Sequence, residues 1–181
     1  MIRTTDIDFL VPKKPPRGVK IDISKVMADE GFIEEFSHDG WVTYHKPEFH
    51  VEFLMSRVGP RPGDARQIPQ LGITARPLRH MWLLTQNVIQ VTYAGIPIQV
   101  PHPAAYGLHK LIIAARRKNQ DKQAKDREQA RTVLTVLSKQ DQGRLNEIYQ
   151  RLSAKERKVV RAEFEQDPLL MGLIGCVRNL H

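Results

Sequence analysis

Three acidic residues occur in two otherwise apolar segments of this 181-residue chain. Asp6 and Asp8 alternate with apolar residues, so on a β-strand both carboxylates share one face while the apolar side chains point to the core. Glu52 interrupts the apolar segment at 49–55, although glutamate has a low strand propensity and is seldom buried without a partner. If the two strands are neighbours, the three carboxylates come together on one face of a sheet.

Hard oxygen ligands on rigid strands suit Mg²⁺, which prefers a few carboxylates together with phosphate oxygens and water. Asp6, Asp8 and Glu52 therefore predict a site for Mg²⁺ (or Mn²⁺). Three carboxylates can hold two such ions, which clamp the attacking and leaving oxygens of a phosphoryl displacement. A structural interpretation stays open, because D-x-D pairs also occur at strand ends. Asp6 then caps a turn, and Glu52 faces solvent on an antiparallel strand.

A second group of candidates lies in the C-terminal half of the chain. Lys110 is the lone charge in an apolar stretch, and Arg117 follows it by seven residues, about two helical turns, so the two cations share a helical face. Lys125 and Asp126 come next, and we expect an ion pair between them to fix the second helix of this region. The cations suit a phosphate ligand, but a lysine that snorkels from a helix edge gives the same pattern.

Local patterns predict strands and a few helices up to about residue 102. Asp39-Gly40 between two strand-like segments is a strong hairpin signal. Alternation and turn residues predict, in chain order, a strand at 7–11, a helix at 23–30, a hairpin of 32–37 and 41–44, a strand at 49–55, a loop at 56–70, a short helix at 77–85 and a hairpin of 88–93 and 96–100.

From Pro103 onward the pattern is helical to the end of the chain. The predicted elements are helices at 103–118 and 122–137, a helix that a capping box begins at Ser153, and an apolar helix at 169–180. Strands followed by helices indicate an α+β fold. We expect two domains, an α/β core at residues 1–102 and a helical region at residues 103–181.

The composition excludes several classes of protein. A single cysteine, Cys176, excludes a disulfide framework and a zinc site built from cysteines. No apolar run reaches the length of a membrane span and no signal peptide is present, so we expect a cytoplasmic protein without a membrane partner. The net charge is +8, and residues 111–181, with 15 basic and 9 acidic groups, carry most of it. A basic region suits a phosphate-rich partner, and a solvated helical surface has the same composition.

Several short motifs resemble those of a known superfamily, and together they cover about half of the chain. The segment TDIDFL at 5–10 resembles the acidic strand of the polymerase-beta-like nucleotidyltransferase fold, and VEFL at 51–54 resembles the strand with its third acidic residue. The segments at 106–111, 116–117 and 125–130 are similar to the helical part of bacterial nucleotidyltransferase-fold proteins. Most of those proteins are uncharacterised, and the AbiEii-type toxins are distant relatives.

The resemblance implies a nucleotidyltransferase-like mixed sheet with flanking helices, followed by a C-terminal helical region. It implies Mg²⁺-dependent transfer of a nucleotidyl group from an NTP to a hydroxyl of a tRNA, another nucleic acid, a protein or a small molecule. A homo-oligomer is compatible with it. Asp6 and Asp8 would hold the metal, and Glu52 would complete the site or act as base. The substrate-binding residues implied are Lys110, Arg117, Lys125 and Asp126.

One feature of the superfamily has no counterpart in this sequence. The superfamily places a Gly-Gly or Gly-Ser turn on a helix before its acidic strand, where backbone amides hold the triphosphate. The five residues before Asp6 contain no glycine. The sequence leaves three expectations open: a shortened chain, a turn supplied by a partner, or a non-catalytic module that binds a nucleic acid or a protein.

Overall fold

The structure, a computed structural model, describes residues 5–12, 17–18, 20–57 and 65–177. The chain divides into two compact units, Met1–Met81 and Trp82–His181. The predicted domain boundary at 102/103 falls inside the second unit, between a strand and a helix. In the described part of the chain, no helix combines the length and the apolar character that crossing a membrane requires.

Within its described residues, the first unit is a six-stranded mixed sheet with one helix. Its elements are β1 (Asp6–Val11), α1 (Ile23–Asp29), β2 (Ile33–Phe36), β3 (Val42–Lys46), β4 (Phe49–Ser56), β5 (Arg66–Ile68) and β6 (Ile73–Leu78). The strand β4 is central, because it pairs in parallel with β1 and β6 and antiparallel with β3. The strand order is β2-β3-β4-β6-β5, with β1 on β4 outside this path. The predicted α+β class with a mixed sheet is confirmed.

One face of this sheet forms the core of the first unit. Side chains of β1, β3, β4, β5 and β6 pack there, with Ile23 and Met27 of α1 against them. The hydroxyls of Tyr44 and Ser24 are 2.7 Å apart, and Ser24 donates in turn to the Gly72 carbonyl at 2.6 Å. Burial raises the pKa of the Tyr44 phenol, although its hydrogen bond with Ser24 opposes the rise. This chain of hydrogen bonds ties α1 to β3 and to the β5–β6 turn.

Two expectations for the first unit need correction. The predicted loop at 56–70 contains the short strand β5, and residues 58–64 lie outside the described part. The helix predicted at 77–85 is wrong in its first half, because Pro77 and Leu78 end β6 and the next helix begins at Trp82. Both strands depend on their partners, since β6 pairs with the distant strand β4 and the three-residue strand β5 pairs with β6. Local propensity does not reveal these pairings.

The second unit is mainly helical. Its elements are α2 (Trp82–Gln86), β7 (Val88–Tyr93), β8 (Ile96–Pro101), α3 (Pro103–Ala114), α4 (Gln120–Leu134), α5 (Lys139–Gln150), α6 (Ala154–Gln166), a 3₁₀ turn (Met171–Leu173) and α7 (Ile174–Val177). The β7–β8 hairpin and the capping box at Ser153 are confirmed. The helix expected at 169–180 is instead a 3₁₀ turn followed by a single helical turn, and 178–181 lie outside the described residues.

A glycine sets how closely α3 and α4 pack. A Cβ atom at Gly107 would lie only 2.5 Å from the Cγ atom of Leu134 on α4. Any larger residue would therefore push the two helices apart. This close approach brings the polar edges of α3 and α4 together, and the second group of candidate residues lies on those edges.

Candidate functional site

Strand register places the three carboxylates on one face of the sheet. In the parallel pairing of β1 with β4, Asp8 lies directly opposite Glu52 and Asp6 lies opposite His50. Residues that face each other across neighbouring strands share a face, and so do residues two apart on one strand. Asp6, Asp8 and Glu52 therefore share the face opposite the core.

The apolar residues of β1 lie on the core face, as expected, but at its margin. Ile7 and Phe9 are 43% and 50% exposed, while the ring of Phe9 stacks on that of Phe53 with 5.5 Å between centroids. Among the described residues, β1 pairs only with β4. The acidic strand therefore lies at an edge of the sheet, where a ligand can approach it.

Glu52 is partly enclosed by neighbouring side chains. Its side chain is 21% exposed, with the Thr43 hydroxyl 3.5 Å from Oε1 and Arg76 Nη1 3.6 Å from Oε2. The guanidinium of Arg76 lies over the Trp41 ring, 4.2 Å from its centroid. Arg76 is thus held between an aromatic ring and the carboxylate, where it offsets part of the negative charge on this face.

Two histidines extend the polar face away from β1. His45 and His50 are cross-strand partners on β3 and β4, and their rings stack with 5.6 Å between centroids. His45 Nε2 lies 2.9 Å from a carboxylate oxygen of Glu35 on β2. We call this surface, formed by the outward side chains of β1, β2, β3, β4 and β6, the polar sheet face.

The donor chemistry of the polar sheet face fits Mg²⁺ bound together with a nucleotide. Within the described residues, no three acidic, histidine or cysteine side chains are arranged as a ready-made metal site. Mg²⁺ does not require one, since it is usually held by one or two carboxylates, substrate phosphates and water. Asp8 and Glu52, as direct cross-strand partners, supply two carboxylates, and Asp6 is the next outward residue on β1.

The second group of candidates is centred on a buried carboxylate. Asp126 of α4 is 5% exposed at its side chain. It accepts a hydrogen bond from Lys110 Nζ on α3 at 3.1 Å and one from Arg117 Nε at 2.8 Å. The ammonium group of Lys110 also lies 5.4 Å from the centre of the Tyr106 ring. The structure thus brings Lys110, Arg117 and Asp126 together as one ion-paired cluster.

The expected ion pair of Lys125 with Asp126 is wrong. Lys125 is exposed, and Asp126 pairs with Lys110 and Arg117 instead. Neighbouring residues on a helix point about 100° apart, so Asp126 can turn toward α3 while Lys125 points to solvent. Arg117 also lies beyond the end of α3 at Ala114, not inside the helix expected at 103–118.

Sequence reasoning missed Arg76, Trp41, His45 and Glu35. One signal was available for Arg76, because it interrupts an apolar strand as Glu52 does. The others depend on the register of β2 and β3 against β4, which becomes visible only when the strands are paired.

Comparison with known proteins gives one match. A protein-family model described as "Nucleotidyltransferase" matches residues 1–154, which include the polar sheet face and the Asp126 cluster. No curated protein and no solved structure matches the chain.

Proposed function

The chain belongs to this nucleotidyltransferase family, and we propose that it transfers a nucleotidyl group from an NTP to a hydroxyl acceptor in a reaction that requires Mg²⁺. One observation carries the proposal: the β1–β4 register sets Asp8 against Glu52, with Asp6 on the same face. A strand with two acids beside a strand with a third is the arrangement that the family resemblance implies for catalysis.

In this proposal Asp6, Asp8 and Glu52 hold Mg²⁺ with the triphosphate. When bound, the ion would neutralise phosphate charge and orient the leaving group. The acceptor hydroxyl attacks the α-phosphorus while the bond from that phosphorus to the bridging oxygen breaks, and pyrophosphate leaves. A carboxylate, Glu52 in our assignment, receives the hydroxyl proton.

Arg76 has a positioning role in this proposal. Its guanidinium keeps Glu52 on the polar sheet face, and Trp41 limits where the guanidinium can move. In the Asp126 cluster, the carboxylate positions two cations that would bind a phosphate of the substrate. Asp126 holds Lys110 and Arg117 in place, so these cations need little reordering when they contact a phosphate.

A non-catalytic module that binds a nucleic acid or a protein is the second candidate. The observation in its favour is that Glu52 already lies beside the Arg76 guanidinium, which would compete with a metal ion for this carboxylate. The two candidates differ in whether binding of a nucleotide depends on both Mg²⁺ and the acids of β1.

The test is calorimetric titration of each of the four NTPs into the protein, with and without Mg²⁺. We expect at least one NTP to bind only with Mg²⁺, and Asp8→Asn to weaken that binding at least tenfold. Asp29→Asn is the matched control, because Asp29 is an exposed aspartate on α1 whose ion pair in the described part of the chain is with Lys25 of the same helix. Label transfer from the bound α-³²P-NTP to total RNA or total protein then identifies the acceptor. If no NTP binds, the catalytic proposal is wrong and the non-catalytic module replaces it.

A further inference from the structure

Basic residues are concentrated where α3 ends and α4 begins. The segment 110–126 holds six basic and two acidic residues, a net +4 and half of the chain's +8. Within it, we define the basic corner as Arg117, Lys118, Lys122 and Lys125. All four are exposed. The two lysines on α4, Lys122 and Lys125, are three residues apart and share one side of the helix.

Three arginines elsewhere on α4 and α6 are neutralised by carboxylates. Arg127 donates from Nε and Nη2 to the two oxygens of Glu163, both at 2.8 Å, and Arg131 donates to Asp167 at 2.7 Å. Arg161 pairs with Glu165 along α6. These arginines therefore form ion pairs that connect neighbouring helices or lie along the surface of one helix.

The basic corner differs from these arginines. Over the residues that the structure describes, the ammonium groups of Lys118, Lys122 and Lys125 contact no carboxylate and no hydrogen-bond acceptor. Arg117 uses Nε for Asp126, and its two Nη groups have no acceptor in the same described part. Asp126 thus holds the guanidinium of Arg117 in place, and the Nη groups of that guanidinium can still donate to a ligand.

We propose that the basic corner binds the phosphate backbone of a nucleic acid, and that this nucleic acid is the hydroxyl acceptor. Only the role as acceptor rests on the proposed function, because binding needs no catalysis. Two exposed residues between the cations support this ligand, because Asn119 and Gln120 carry amides of the kind that contact phosphate and sugar oxygens.

A protein partner fits less well. Protein interfaces are poor in lysine and use aromatic or large apolar residues as anchors. Residues 116–125 contain neither an aromatic nor a large apolar residue. A single NTP also fits less well, because Lys118 to Lys125 extend over roughly 10 Å, and a chain of phosphates can contact all of them at once.

The experiment measures fluorescence anisotropy of a labelled 20-nucleotide single-stranded RNA with the full chain, without NTP or divalent metal, between 50 and 200 mM KCl. Four contacts predict a slope of log affinity against log salt of about −2.8, at about 0.7 per phosphate. We expect the combined substitution Lys118→Gln, Lys122→Gln and Lys125→Gln to reduce the slope to about −0.7. At 200 mM KCl the triple variant should bind at least tenfold more weakly.

The control removes the same charge elsewhere. It combines Lys139→Gln, Lys155→Gln and Lys158→Gln, three exposed lysines of α5 and α6 without a partner in the described part of the chain. We expect this variant to bind RNA like the wild type. Equal weakening by both triple variants would overturn the proposal, since the effect would then come from net charge alone.

Two further results would also overturn it. The first is the absence of RNA binding by the wild type at 50 mM KCl. The second is equally strong displacement by polyglutamate or by ATP, which would identify an acidic protein or a free nucleotide as the ligand. Because no NTP or metal is present, failure of the transfer reaction leaves this result interpretable.

Discussion

Two acidic residues of the helical unit and two of the sheet unit lie in contrasting environments. In the helical unit, Asp126 and Glu163 are buried, with 5% and 11% of their side chains exposed, and each is held by basic side chains at 2.8 to 3.1 Å. In the sheet unit, Asp8 is exposed, and the guanidinium of Arg76 lies 3.6 Å from the carboxylate of Glu52, farther than the cations of the helical unit lie from theirs. The same residue type thus supports packing in one unit and is accessible to a ligand in the other.

This difference helps to separate structural from functional acids. A buried carboxylate loses hydration, so it requires close cations and hydrogen bonds to be stable. Carboxylates aligned on a sheet face repel one another, which a bound cation relieves. Removing charge should therefore destabilise the helical unit and leave the sheet unit folded but unable to bind its ligand.

The largest expected effect compares one substitution in the two units. Asp126→Asn leaves Lys110 and Arg117 without their shared carboxylate and should lower the free energy of unfolding by about 2–4 kcal/mol. Asp8→Asn should lower it by no more than about 1 kcal/mol, because Asp8 is exposed and exposed ion pairs contribute little. Urea denaturation followed by circular dichroism measures both. Equal losses in the two variants would remove the distinction between the units.

A medium effect is expected for two arginines that face a glutamate. Arg127 binds Glu163 through two hydrogen bonds, and this contact raises the pKa of the Arg127 guanidinium. Arg127→Gln should cost about 1–2 kcal/mol of stability, since Glu163 stays buried without its cation. Arg76→Gln should cost no more than about 1 kcal/mol, mainly from its contact with Trp41. Thermal unfolding of both variants tests this order of stability losses. A larger loss for Arg76→Gln than for Arg127→Gln would show that Arg76 and Glu52 form an ion pair that stabilises the fold.

The smallest effect concerns a partly exposed acid of the helical unit. Hydrogen bonds from Ser138 lower the pKa of Asp141 from its ordinary 3.8, with His102 contributing. A lowered pKa in the folded state means that the ionised carboxylate stabilises the protein above about pH 4, and that this contribution is lost as the pH falls through the folded pKa. Asp141→Asn should therefore lower the Tm at pH 6, by an amount that shrinks below pH 3.8.

Ser138→Ala is the control for this prediction, because it removes the hydroxyl whose hydrogen bond is the main reason for the lowered pKa of Asp141. In that background, Asp141→Asn should have a smaller effect on the Tm at pH 6. A Tm difference for Asp141→Asn that stays constant from pH 6 to pH 3 would contradict the assignment.

Local patterns in the sequence predicted much of the acidic site. Strand alternation placed Asp6 and Asp8 on one face, and Glu52 stood out as an acid in an apolar strand. The pairing of β1 with β4 connects residues far apart in sequence, so its register required the fold. Arg76 interrupts an apolar segment in the same way, but the pairing of β6 with β4 that brings it to Glu52 also required the fold.

The Asp126 cluster shows the same limit for helices. Helical spacing predicted that Lys110 and Arg117 share a face of one helix, although Arg117 lies beyond the end of α3. It did not reveal that a carboxylate of another helix lies between them. That depends on the close approach of α3 and α4 at Gly107, a contact between residues that no local period connects.

The most direct test of the central claim is a thermal-shift titration with Mg²⁺ and, separately, Mn²⁺. An ion that binds only the folded state at ten times its Kd stabilises it by about 1.4 kcal/mol, which raises the Tm by about 3–6 °C. We predict this rise for the wild type and for Asp29→Asn, and its loss in Asp8→Asn. A rise that persists unchanged in Asp8→Asn would place the ion elsewhere and contradict the assignment of Asp6, Asp8 and Glu52 as its ligands.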